Sequence, residues 1–61
     1  MMTYVLPQEC KRNLLMCVKL VHDNLHLGLK ESKDMVDEGI IEGEEADVVA
    51  FKAALRDLNI I

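Results

Sequence analysis

Aromatic side chains are almost missing: Tyr4 and Phe51 are the only two, and there is no tryptophan. With a net charge of −4, the chain has neither stacking platforms nor a phosphate-neutralising surface, and direct nucleic-acid binding is not expected. Ser32 and Thr3 are the only hydroxyl side chains apart from Tyr4. Neither sits beside an obvious base, which argues against nucleophilic catalysis. Gly28, Gly39 and Gly43 are isolated and form no phosphate-cradling loop. Cys10 and Cys17 stand seven apart, outside any CxxC frame. On one continuous helix their side chains are not expected to meet as a bridge. Neither a disulfide nor a zinc site is predicted, and a reducing cytoplasm fits best. His22 and His26 have the i,i+4 spacing that can seat a metal, but no HExxH frame or third ligand accompanies them. The carboxylates at 42, 44, 45 and 47 lack the alternation of a calcium loop. No run approaches the roughly 18 to 20 apolar residues of a membrane span. The opening MMTYVLPQECKR lacks a basic stretch followed by an apolar one, so no secretion signal is expected. No cofactor, no metal and no enzymatic activity are predicted.

What remains is a single domain, residues 1–61, with room for a thin core only. Hydrophobic residues make up 51% of it, and their arrangement is uneven. Leu14, Leu15, Met16, Cys17, Val18, Leu20 and Val21 crowd one segment, more than one packed helix face needs. Charge is uneven too. Residues 1–33 carry five Lys/Arg against three Asp/Glu, a balance of +2, while residues 34–61 carry two against eight, a balance of −6.

In chain order, Thr3, Tyr4 and Val5 favour an edge strand that Pro7 ends. Gln8–Asn13 is either a polar loop, with Asn13 as N-cap, or the opening turns of the first helix. That helix runs to about Asp23 or Asn24. Cys10, Leu14, Cys17, Val21 and Leu25 form its buried stripe. Leu15, Met16 and Leu20 fall off the stripe, and either pack elsewhere or stay exposed for docking. Leu25-His26-Leu27-Gly28 makes a corner, with Gly28 supplying the unusual backbone angle or a close helix contact. The second helix spans about Leu29 to Glu38, with Ser32 small on its inner side, and Lys30–Asp34 and Lys33–Asp37 as i,i+4 pairs. It stops at Gly39, a C′ glycine. Ile40-Ile41 reads as a very short strand. The third helix starts near Glu44, with an acidic first turn suited to its dipole. Its stripe is Val48, Phe51, Leu55 and Leu58, and Asn59 is its C-cap. Ile60-Ile61 is a strand stub or a loose tail.

The run VKLVHDNLHLGLKESKDMVDEG, Val18 to Gly39, resembles the C-terminal domain of the bacterial large-subunit ribosomal stalk protein (protein seven/twelve). That family carries V-I-K-x-V-R-x-x-x-x-L-G-L-K-E-A-K-D-L-V. Here Cys17, Val18, Lys19, Val21, Leu27, Gly28, Leu29, Lys30, Glu31, Lys33, Asp34 and Val36 occupy the corresponding positions. Ser32 replaces the alanine, Met35 the leucine and His22 the arginine. DVVAFKAALRDLN, Asp47 to Asn59, is similar to the family's third helix in apolar spacing. The resemblance implies an α+β domain ordered strand–helix–helix–strand–helix–strand. It also implies that the first two helices dock a GTP-hydrolysing translation factor. Carried across by position, the docking face is Leu15, Val18, Lys19, His22, Leu29, Lys30 and Lys33. The family's ribosome-anchoring domain and hinge do not occur in these 61 residues, so a truncated, free-standing domain of this type is expected.

The fold expected is therefore α+β: three helices, the first two as a tight helix-turn-helix, beside a short two- to three-stranded edge sheet. The function expected is non-enzymatic protein binding, ribosomal-protein-like, to a translation GTPase or ribosome-associated partner. The alternative is a small acidic inhibitor or adaptor, encoded by a mobile element or phage, that blocks another bacterial protein. A homodimer through the sheet edge is a third arrangement the pattern allows. No membrane contact is expected.

Overall fold

A computed structural model describes all 61 residues. Strand β1 (Met2–Val5) is followed by the helices α1 (Glu9–Arg12), α2 (Leu14–Leu25) and α3 (Leu29–Glu38), then strand β2 (Ile40–Gly43) and helix α4 (Glu45–Asp57). The class is α+β as expected, with four helices where three were expected and two strands. β1 and β2 pair antiparallel in the register Met2↔Gly43, Thr3↔Glu42, Tyr4↔Ile41 and Val5↔Ile40. Ile41 is fully buried and Tyr4 half-buried, whereas Thr3, Val5, Ile40 and Glu42 face outward. Alternation along each strand thus sends one face to the helices and one to water.

The extra helix arises at Asn13. Its backbone leaves the helical region (φ −127°, ψ 48°), and its side-chain amide donates back to the Glu9 carbonyl at 3.1 Å. Asn13 therefore closes α1, and its side chain does not cap α2 as expected. Cys10 and Cys17, on either side of this break, are both buried and form no bridge. Both thiols are free.

α2 is the centre of the molecule, packed against both α3 and α4. Its buried stripe is Cys17, Val21 and Leu25. Leu14, placed on that stripe by spacing, is 45% exposed, because it opens the helix beyond the reach of its neighbours. α3 contributes Val36 and Ser32, whose hydroxyl donates to the Gly28 carbonyl at 2.9 Å and so carries no unmet polar group into the interior. α4 contributes Val48, Phe51 and Leu55. Tyr4 meets Phe51 edge-on, ring centroids 6.4 Å apart, which joins the sheet to α4. Leu58, expected to continue the α4 stripe, is 49% exposed.

The helix ends explain where the spacing misleads. Gly39, at φ +81°, ends α3 and donates to the carbonyls of Met35 and Val36, as a C′ glycine does. At the corner after α2, the left-handed residue is His26 (φ 59°), not Gly28, which is extended at φ −66° and has open space where a Cβ would stand. Asn59 is also left-handed (φ 58°) and lets the chain fold back over α4. Its N–H donates to the Arg56 carbonyl, and that of Ile60 donates to Leu55 at 2.9 Å. This is a Schellman closure, with Ile60 and Leu55 both buried as its apolar pair. Ile60 and Ile61 therefore form no strand, and the third strand implied by the resemblance does not form.

Burial first, then the hydrogen bond and charge of Cys10, push the Cys17 thiol from 9.0 up to about 12. The folded thiol stays protonated where the unfolded one has already ionised. Its contribution to stability is full below pH 9.0 and is lost as pH rises from 9.0 toward about 12. Urea midpoints measured across that window should fall with pH, and Cys17→Ala should flatten the fall. An alkaline dependence identical in wild type and variant would contradict this account.

Candidate functional site

The residues of interest lie along the outer side of α2 and the start of α3. In α2, Leu15, Lys19 and His22 recur at spacings of four and three, and so share one side of the helix, away from Cys17 and Val21. Val18 stands between that side and the buried stripe and is half-buried. Leu15 is 89% exposed. Lys19 is exposed and in no ion pair, since the one salt bridge in the molecule is Lys33–Asp37. In α3, Leu29 shares a side with Ser32 and Val36, yet it is 62% exposed where those two are buried. It occupies the first turn, past the end of α2, and nothing covers it. Lys30 beside it is exposed and unpaired.

Of the two i,i+4 pairs expected on α3, one forms. Lys30 and Asp34 make no ion pair. Lys33 does, 3.0 Å from Asp37, and the hydrogen bond and charge of Asp37 raise the Lys33 pKa. Its charge is thus already partnered within α3, which leaves Lys19 and Lys30 as the free cations among the expected residues.

His22, expected to be solvated or in contact with a partner, is half-buried and serves the corner instead. Its Nδ1–H donates to the carbonyl of Leu27. The carbonyl has no proton to give, so the ring proton sits on Nδ1. The bond spans the left-handed His26 and holds the start of α3 against the end of α2. It leaves Nε2 as the imidazole's remaining polar atom.

The expected residues make a strip, not a compact cluster. Leu15 sits near the far end of α2 from the corner. Ten residues to Leu25 amount to about 15 Å of helix rise. Lys19 and His22 fill the interval, and Leu29 and Lys30 lie past the corner. At the Leu15 end the strip runs into an open cleft of about 420 Å³ at the α1–α2 break, lined by Lys11, Arg12, Asn13, Leu14, Leu15 and Met16. Met16, weighed as a docking residue with Leu15 and Leu20, is 42% exposed. Lys11, Arg12 and Leu14 were not among the expected docking residues, and Leu14 was expected inside. A basic pair directly before an asparagine, inside an otherwise helical run, is the signal that could have found them. The exposed carboxylates Asp34, Asp37, Glu38, Glu42, Glu44 and Glu45 belong to α3, β2 and the start of α4.

Compared with family models, curated proteins and solved structures, the chain matches none. Among the His, Cys, Asp and Glu side chains, no three are grouped as metal ligands would be. No helix is long and apolar enough to cross a membrane.

The His22 assignment is open to a direct check. Long-range proton–nitrogen spectra at a pH where the ring is neutral should find the His22 proton on Nδ1. A dominant Nε2–H form at His22 would contradict the hydrogen bond at the corner.

Proposed function

We propose that this chain is a non-enzymatic protein-binding module. Its outer α2–α3 strip docks an acidic, partly apolar protein surface, and a bacterial translation GTPase or ribosome-associated protein is the partner of first choice. The observation that carries the reading is the pairing of uncovered Leu15 and Leu29 with the unpaired cations Lys19 and Lys30. Burying a leucine fully is worth about 1.5 to 3 kcal/mol. Two such side chains offset part of the losses of association, so the complex expected is weak and reversible. The lysines add orientation and association rate more than affinity. The likeness of Val18–Gly39 to the stalk domain supports the choice of partner class. Lys11 and Arg12 extend the basic character beyond what that likeness implies.

The alternative reading, an acidic inhibitor or adaptor, draws on the six exposed carboxylates between Asp34 and Glu45. It uses the opposite sign of charge and a different surface, so one titration separates the two. Isotope-labelled chain is titrated with a purified bacterial elongation GTPase, and amide shifts are followed. The docking reading expects shifts at Leu15, Lys19, Leu29 and Lys30, and about a tenfold loss of affinity for Lys19→Glu. No shift at all would sink it, as would binding that ignores Lys19→Glu but is lost when Glu42, Glu44 and Glu45 become glutamine.

A further inference from the structure

The sheet has only two strands, so each strand keeps one open edge. The register says which backbone groups lie there. The Leu6 N–H donates to the Gly39 carbonyl at 2.8 Å, and these residues stand opposite one another if the β1–β2 register is continued. Hydrogen-bonded pairs alternate along an antiparallel ladder. Leu6, Tyr4 and Met2 therefore turn their N–H and C=O groups toward β2, and Thr3 and Val5 turn theirs outward. No hydrogen bond outside the ladder reaches the backbone of Thr3 or Val5. The same alternation leaves Ile40 and Glu42 facing out on the β2 edge.

The two edges differ in charge. From Met1 to Gln8 there is no charged side chain, and β1 reads Met-Thr-Tyr-Val. The β2 edge carries Glu42 and is flanked by Glu38 and Glu44, so pairing two copies there would gather like charges. Charged residues are a usual device for blocking an open edge. β2 has them and β1 does not. Val5 is 69% exposed, and Met2, Tyr4 and Leu6 are only half-covered.

We propose that β1 pairs with β1 of a second copy of this chain, antiparallel about a two-fold axis at Tyr4, to give one continuous four-stranded sheet. In that register the Thr3 N–H donates to the carbonyl of the partner's Val5, and the N–H of the partner's Val5 donates to the Thr3 carbonyl. The symmetry repeats both bonds, so all four outward groups of each strand are used. Tyr4 faces the partner's Tyr4 in a close, non-hydrogen-bonded pair, where aromatic rings meet. Thr3 and Val5 meet their counterparts on the outer face. The contact is isologous and closes at two copies, and it leaves the α2–α3 strip free.

Proline tests the geometry, because an outward N–H on an edge can be lost without breaking the ladder to the neighbouring strand. In sedimentation equilibrium the wild-type mass should rise with concentration from 6.9 kDa toward twice that. Val5→Pro should stay at the lower mass, and Glu42→Pro, the same change on the other edge, should still dimerise. Hydrogen exchange on the wild type gives a readout that no variant's folding can spoil. The Thr3 and Val5 amides should gain protection as concentration rises, and those of Ile40 and Glu42 should not. A wild-type chain that remains at 6.9 kDa throughout overturns the proposal, as does concentration-dependent protection at Ile40 and Glu42 in place of Thr3 and Val5.

Discussion

One stripe on α2 holds the molecule together. Cys17 and Val21 are fully buried and Leu25 nearly so. Through them α2 contacts α3 on one side and α4 on the other, and the sheet then closes over α4 through Tyr4, Ile41 and Phe51. A helix that buries one stripe against two neighbours cannot bury the rest of its surface. The other elements, α3, α4 and the sheet, form no further layer over it. Only eleven residues are buried, so the 51% of hydrophobic residues cannot all be inside. Exposed leucine is the consequence, and where it falls follows from how the helices are cut and turned.

Those cuts are made by backbone conformation at three residues. Asn13 interrupts what would be one helix and opens the cleft beside Leu14 and Leu15. His26 takes the left-handed turn, and His22 holds the corner through Leu27, leaving Leu29 on an uncovered first turn. Asn59 folds Ile60 back onto Leu55 and closes the bottom of the core. Single isolated asparagine and histidine residues tolerate the left-handed region better than most, at a cost offset by the contacts they make possible.

Much of this was legible in the sequence. The four- and three-residue spacing marked Cys17, Val21, Leu25, Val48, Phe51 and Leu55 as interior, and each is buried. Gly39 ends α3 as its position after Glu38 suggests, and Ser32 lies inside as the one small polar residue on that side. Leu14 and Leu58 were misplaced because periodicity gives direction around a helix, whereas burial depends on whether a neighbour is long enough to reach. The left-handed residue was sought at Gly28 because glycine adopts such angles freely, but two residues earlier His26 does it with His22 beside it. The apolar surplus left Leu15 open between packing and exposure, the polar side of the helix placed Lys19 outside, and Leu29 entered the docking face only through the resemblance; all three are exposed. The partnering of Lys33 with Asp37, but not of Lys30 with Asp34, depends on rotamers that spacing does not determine.

A docking strip requires that Leu15 and Leu29 serve something other than the fold. Replacing both with serine and measuring urea unfolding tests that most directly. Unfolding free energy should change by no more than about 0.5 kcal/mol, as for ordinary surface positions, whereas Leu55→Ala should cost about 2 to 5 kcal/mol. A loss for the double serine variant comparable to that of Leu55→Ala would mean that these leucines are part of the core, and the docking strip would not exist.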